Sequence, residues 1–346
     1  MNPANSPAIT LNPIALTMGE PAGIGGEIAL KAWLDRKPES DCFFTIDDPT
    51  RLEELAGRLG LAVPISAIEA PLDAVRAYSN ALPVLSRPLP APICDGVPEA
   101  RNAPAVIAAI ELAVEFCRSG DAAAMVTNPI HKATLTETGF PHPGHTEFLG
   151  ALAGAKPTMM LAVPGLRVVP VTVHLPLSEV SMHLSIAAIV AAGLATARAL
   201  ESDFATPNPR LAVAALNPHA GESGTLGREE AAIIAPAVAE LHSKGIEVFG
   251  PAPADTLFHK AARERFDAAL CMYHDQALIP LKTLDFAHGV NITLGLPFVR
   301  TSPDHGTALN IAGTGKADPS SLIAAMQMAG EMVRNRQHAG AATRVA

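Results

Sequence analysis

Ile14-Ala15-Leu16-Thr17-Met18 runs without a break into Gly19-Glu20-Pro21-Ala22-Gly23-Ile24-Gly25-Gly26-Glu27. The opening run is continuously apolar and not alternating, which marks a strand covered on both faces. After the glycines, Gly26–Leu34 carries apolar residues at three- and four-residue spacing, the pattern of a helix. Cys42–Ile46, Ala122–Val126, Leu166–Val173, Leu211–Leu216 and Ala268–Tyr273 repeat the strand pattern. Ala103–Arg118, Glu229–His242 and Ser320–Val333 repeat the helical one, with Pro236 expected to kink or interrupt its helix. Strands alternating with helices predict an α/β fold with a largely parallel sheet. Leu166–His174 followed closely by Leu175–Val180 suggests a local antiparallel insertion. The Pro-rich stretch Pro88–Pro104 is the clearest candidate connection.

The 346 residues correspond to about two domains at roughly 150 residues each. Hydrophobic residues are 49% and charged residues 17%, a balance that excludes an intrinsically disordered chain. Lys and Arg total 25 against 34 Asp and Glu, so the net charge is −9. Non-specific nucleic-acid binding runs on clustered cations and is not expected here. Any bound anion has to be held by a local pocket. Cys42, Cys94, Cys117 and Cys271 form no CxxC pair and read as reduced thiols. Met1–Leu11 lacks the features of a signal peptide, and no apolar run reaches the roughly 18 residues of a membrane span. A soluble, cytoplasmic protein is expected.

In open α/β sheets, ligands bind beyond the carboxyl ends of the strands. Three strand patterns end in a histidine: His174, His219 and His274. Parallel strand ends line one edge, so imidazoles distant in sequence can meet there. Three neutral imidazoles suit a catalytic divalent metal, zinc by default; separately, each suits an ordinary loop role. Asp275 beside His274 reads as an orienting partner, a base or a helix cap. Lys282, Asn291 and Arg300 form a cationic constellation suited to a carboxylate or phosphate, or to surface ion pairing. His145 and Thr146 open a helix whose first N–H groups suit a phosphate; Thr146 alone reads as a cap. Gly23-Ile24-Gly25-Gly26-Glu27-Ile28 lacks the third glycine of GxGxxG, and Gly313-Thr314-Gly315-Lys316 is not a complete P-loop.

Several of these segments occur together in a known family. Leu16–Gly25, Thr127-Asn128-Pro129-Ile130-His131-Lys132, Gly144-His145-Thr146-Glu147-Phe148-Leu149, Asn217-Pro218-His219-Ala220-Gly221-Glu222, Tyr273-His274-Asp275-Gln276 and Asn291–Gly306 resemble the 4-hydroxythreonine-4-phosphate dehydrogenase family of pyridoxal phosphate biosynthesis. Glu20 stands where many members carry Asp, and Gly26-Glu27 where many carry Pro-Glu.

The resemblance implies a two-domain fold of the isocitrate and isopropylmalate dehydrogenase group, with mostly parallel sheets and an interdomain cleft. Residues 1–135 with 300–346 would form one domain. Residues 136–299 would form the other and carry the metal ligands and dimer contacts. The resemblance further implies NAD or NADP bound without GxGxxG, a divalent metal (zinc first, magnesium or cobalt also possible), and a homodimer whose partner contributes to each site. His174, His219 and His274 match the metal ligands. His145, Thr146, Lys282, Asn291 and Arg300 match the substrate-binding positions. Asp275 and Lys282 form the expected catalytic set, with Asp275 managing the hydroxyl proton. The implied reaction is oxidation of 4-phosphooxy-L-threonine to 2-amino-3-oxo-4-phosphooxybutanoate, which decarboxylates to 3-amino-2-oxopropyl phosphate. Alternatives are oxidation of another phosphorylated hydroxy acid, such as threonate or erythronate phosphate, and a zinc hydrolase.

Overall fold

The structure is a computed structural model that describes residues 12–142 and 144–345; the reading of Met1–Leu11 lies outside them. Along the described residues run β1 (Ile14–Thr17), β2 (Phe43–Asp47), β3 (Ile65–Ile68), β4 (Leu82–Ser86), β5 (Met125–Thr127), β6 (Thr158–Val163), β7 (Leu166–Pro170), β8 (Arg210–Ala214), β9 (Glu247–Ala252), β10 (Ala268–Cys271), β11 (Val290–Leu294) and β12 (Arg300–Pro303). The chain divides into two compact units, Met1–Pro143 with Pro297–Ala346, and Gly144–Leu296. The resemblance drew the lines at 135/136 and 299/300. Residues 136–142 stay with the first unit, because Leu135 is buried and the turn after helix Lys132–Glu137 folds back on it, Phe140 N–H donating to Leu135 O at 3.2 Å.

The first unit orders its strands β3-β4-β2-β1-β5-β12, and all of its pairings are parallel. Ile14, Ala15 and Leu16 of the central β1 are 1% exposed or less, as a strand covered on both faces requires. Helix Gly25–Leu34 starts one residue before the expected position. Pro88–Pro104 does not link the units. It is a tethered loop inside the first: Leu89 N–H donates to Asp48 Oδ2 (3.0 Å), Ala91 N–H to Asn102 Oδ1 (2.9 Å) and Gly96 N–H to Ala22 O (2.8 Å).

The second unit orders its strands β11-β6-β7-β10-β8-β9. β7, β10, β8 and β9 run parallel, while β6 pairs antiparallel with both β11 and β7. An antiparallel insertion exists, but it is β6–β7, joined through Pro164-Gly165 with Gly165 at φ +81°. Leu175–Val180 is not a strand; the chain turns there into short helices at Leu177–Glu179 and Val180–His183. Pro236 interrupts no α-helix. A π-helical stretch, Glu230–Ile234, precedes it, and the α-helix Ala235–Ser243 begins anew with Pro236 in its first turn, where a missing N–H costs nothing. The core joins Leu161, Val168, Ala212, Ala269, Cys271 and Leu281 across the sheet and helix His274–Leu284. Among the described residues no single helix is long and apolar enough to cross a membrane.

Candidate active site

The order β7-β10-β8 places three adjacent parallel strands side by side, and these are the strands that precede His174, His274 and His219. Their carboxyl ends therefore lie along one edge of the second unit. The tails of β7 and β10 stay zipped beyond their last ladder residues. Val171 N–H donates to Cys271 O at 2.8 Å, and Thr172 Oγ1 donates to Met272 O at 2.7 Å. The zipped tails deliver the rings of His174 and His274 to a centroid separation of 6.1 Å, tilted by 40°. His274 is the first residue of helix His274–Leu284, and its Nδ1 lies 2.7 Å from Asp275 Oδ1. A carboxylate acceptor at this distance pairs with the tautomer that donates from Nδ1, which leaves Nε2 as the nitrogen for a ligand.

Gln276 ties the neighbouring strand end to this one. Its Oε1 accepts from Met272 N at 2.6 Å, and its Nε2 donates to Ala215 O at 2.6 Å. Nothing in the sequence marks this buried bridge, since a lone glutamine carries no periodic or spacing signal.

His219 is presented differently. Leu216 N and Asn217 N donate to Glu230 Oε1 at 2.9 and 2.7 Å. The Asn217 amide donates to Glu229 Oε2 at 2.8 Å and Glu230 Oε2 at 3.0 Å. The first of these carboxylates is held below the usual range, by a backbone N–H and then by the Asn217 amide. After Pro218 the backbone turns left-handed over five residues: His219 (φ 51°), Ala220 (53°), Gly221 (75°), Glu222 (41°) and Ser223 (57°). Each residue with a Cβ costs roughly 1–2 kcal/mol in that conformation.

In donor chemistry, the three imidazoles from adjacent strand ends, one of them oriented by a carboxylate, fit a divalent metal such as zinc. Their side chains are gathered as two and one. His174 and His274 are in ring contact, and among the described residues no group of three or more His, Cys, Asp or Glu is set to hold a metal ion.

The expected anion-binding residues sit at element ends or on strands. His145 and Thr146 open helix His145–Ala153 behind Gly144. Asn291 lies on β11 with its Oδ1 buried and without a hydrogen-bond partner. Lys282 is half-buried in the last turn of helix His274–Leu284, with its Nζ 5.3 Å from the centre of the Phe286 ring. These four belong to the second unit and Arg300 to the first. Arg300 is 2% exposed on β12 and donates from Nη2 to Thr127 Oγ1 at 2.6 Å. Burial pulls its pKa down to about 10, which leaves the guanidinium charged at neutral pH. At the end of β1 the carboxyl of Glu20 is also buried, accepts from Ala22 N at 3.1 Å, and has its pKa raised by desolvation.

A mostly parallel α/β chain with its polar residues beyond the strand ends belongs to the class of α/β enzymes that bind small molecules at a sheet edge. Comparison with known proteins narrows the class. A family model described as pyridoxal phosphate biosynthetic protein PdxA matches residues 39–329. A 4-hydroxythreonine-4-phosphate dehydrogenase from Caulobacter vibrioides is 50% identical over 95% of this chain and 99% of its own. The crystal structure of a 4-hydroxythreonine-4-phosphate dehydrogenase from Klebsiella pneumoniae superposes with a TM-score of 0.83 at 36% identity, covering 93% of this chain and 99% of that one. A terephthalate 1,2-cis-dihydrodiol dehydrogenase from Burkholderia xenovorans gives a TM-score of 0.62 at 27% identity, over 93% and 98%. The chain belongs to the PdxA family. It is an oxidoreductase with the dehydrogenase-like α/β fold that the resemblance implied.

Proposed function

We propose that the chain oxidises the secondary alcohol of 4-phosphooxy-L-threonine to 2-amino-3-oxo-4-phosphooxybutanoate, using NAD or NADP. The product then loses CO2 to give 3-amino-2-oxopropyl phosphate. One observation carries the reading. A chain that aligns over nearly its whole length with dehydrogenases of that name keeps imidazoles at the ends of three adjacent parallel strands. When bound, the coenzyme would take up the carbinol hydrogen as hydride with its electron pair, and the hydroxyl proton would go to a base. The balance is ketone, reduced coenzyme and one proton.

His174, His219 and His274 would hold the divalent cation, zinc first and magnesium or cobalt as alternatives, which when bound lowers the pKa of the substrate hydroxyl. The chain's own residues do the rest. Asp275 orients His274 and accepts the hydroxyl proton, and Lys282 stands with it in the catalytic set. A chain of net charge −9 offers no general attraction for a phosphorylated acid, so local groups must supply it. His145 and Thr146 at a helix start, Lys282, Asn291 and the charged Arg300 provide donors for the substrate's phosphate and carboxylate.

The second unit, Gly144–Leu296, would carry the metal ligands and dimer contacts. A homodimer is supported by exposed apolar side chains of the second unit: Leu177 (70% exposed), Met182 (73%), Ile279 (65%) and Phe286 (76%). Free thiols at Cys42, Cys94, Cys117 and Cys271 support a cytoplasmic location.

The test is absorbance at the NADH band with 4-phosphooxy-L-threonine, threonate phosphate, erythronate phosphate and a cyclohexadiene diol, each with NAD or NADP and added zinc, magnesium or cobalt. A rise with 4-phosphooxy-L-threonine, and the highest kcat/KM for it, is expected. A higher kcat/KM for another panel member would move the substrate assignment. Phosphate release without reduced coenzyme would replace it with hydrolysis.

A further inference from the structure

A run of left-handed residues persists only where its surroundings over-determine it. Four of the five residues in the run beginning at His219 carry a Cβ, and the surroundings that hold them are identifiable. Beyond the last ladder residue of β8, two backbone N–H groups in a row point at one carboxylate, Glu230, itself 6% exposed. The second oxygen of that carboxylate takes the Asn217 amide and lies against the inner side of the turn, where a Cβ on Gly221 would approach to 2.6 Å. A Cβ on Gly227 would collide with the Asn217 amide. Glu230 is also the first residue of a π-helical stretch, a local register change often found at functional sites. The Glu230 carboxylate and the Asn217 amide thus pack against the base of the turn so closely that Gly221 and Gly227 have no room for a Cβ.

We propose that Glu230, working with Asn217, is the positioning residue for His219: its carboxylate fixes the strand end and the left-handed turn that present this imidazole. The inference rests on the reading of His219 as a metal ligand. Glu230 touches no reacting group. It sets where the imidazole stands, much as the partner of a ligating histidine sets its orientation.

The experiment compares wild type, His219→Ala and Glu230→Gln for zinc affinity, measured by competition with a chromophoric chelator, alongside melting temperature and steady-state kinetics. Glutamine keeps the size of the side chain but turns an N–H toward the Asn217 amide. Expected are a zinc affinity at least tenfold weaker in Glu230→Gln and a kcat lowered more than KM is changed. His219→Ala should lose the same binding component. A lower melting temperature with wild-type zinc affinity in Glu230→Gln would reduce Glu230 to a structural residue and overturn the proposal. Equal zinc binding by wild type and His219→Ala would instead remove the ligand reading beneath it. Gly221→Ala pushes the turn off the same carboxylate and is expected to weaken zinc equally. It decides the matter if Glu230→Gln does not fold, since full zinc affinity there would also overturn the proposal.

Discussion

The two units use their ionisable residues in opposite ways. In the first, two ion pairs of low exposure join residues one helical turn apart. Glu27 accepts from Lys31 Nζ at 2.8 Å and from Ala317 N at 2.9 Å, and Lys31 donates in return to Gly315 O and Ala317 O. Asp47 takes the Arg51 guanidinium, whose other arm reaches Pro21 O at 2.9 Å. These pairs tie the glycine-rich loop after β1 and the loop after β12 to their helices. In the second unit His174, His219, His274 and Asp275 stand at the strand ends in partial or full contact with solvent. Only their supports, Gln276 and Glu230, are buried. Charge held inside shapes the loops, whereas charge left outside is available to a ligand.

The contrast is broken most forcefully at Asp47. Replacing Asp47 with Ala strands a buried guanidinium, and stability in denaturant titrations should fall by about 3–5 kcal/mol. A loss below about 1 kcal/mol would mean that the pair is not what shapes the first unit. The exposed edge should respond the other way. His219→Ala is expected to cut turnover by about 10²-fold while the melting temperature stays within a degree or two of wild type. A variant that unfolds, or one with full activity, would erase the distinction between the two edges.

Arg300 tests whether one buried charge of the first unit belongs with the second in function. Arg300→Lys keeps the charge and loses the planar fork, so KM for the phosphorylated substrate should rise about tenfold with a smaller change in kcat. Unchanged kinetics would take Arg300 out of the binding set. The smallest effect is at Glu20. Burial raises its folded-state pKa above the ordinary 4.5, so the neutral form favours the folded state. That contribution is complete below 4.5 and is lost as pH climbs through the raised value. Glu20→Gln should therefore match wild type at acid pH and melt about 2 °C above it at neutral pH. A gap that closes with rising pH would reverse the sign and reject the burial argument.

Much of the frame was legible from continuous apolar runs. β1, β2, β5, β7, β8 and β10 are short, mostly buried and mostly apolar, so the run of apolar residues finds them. The others hide for physical reasons. β3 is half-exposed, β4 carries Pro83, and β9 contains Gly250-Pro251, each of which blurs the strand pattern. The sequence pattern puts the antiparallel insertion later in the chain than β6–β7, because the Pro164-Gly165 turn lies inside what reads as one apolar region. At the site, three histidines after three strands were visible as a pattern, and their strands are neighbours. How the backbone carries them was not visible. Glu229 and Glu230 look like ordinary acids in the first turn of a helix, and nothing in Asn217-Pro218-His219-Ala220 signals a reversal of handedness.

That reversal inverts a familiar rule of substitution. Elsewhere in a folded chain, trading alanine for glycine loosens the unfolded state and weakens the protein. At Ala220, coiled against the preference of L-amino acids, removing one methyl group lifts a steric penalty that glycine does not bear. This left-handed turn is thus a place where the chain would gain in stability by becoming simpler.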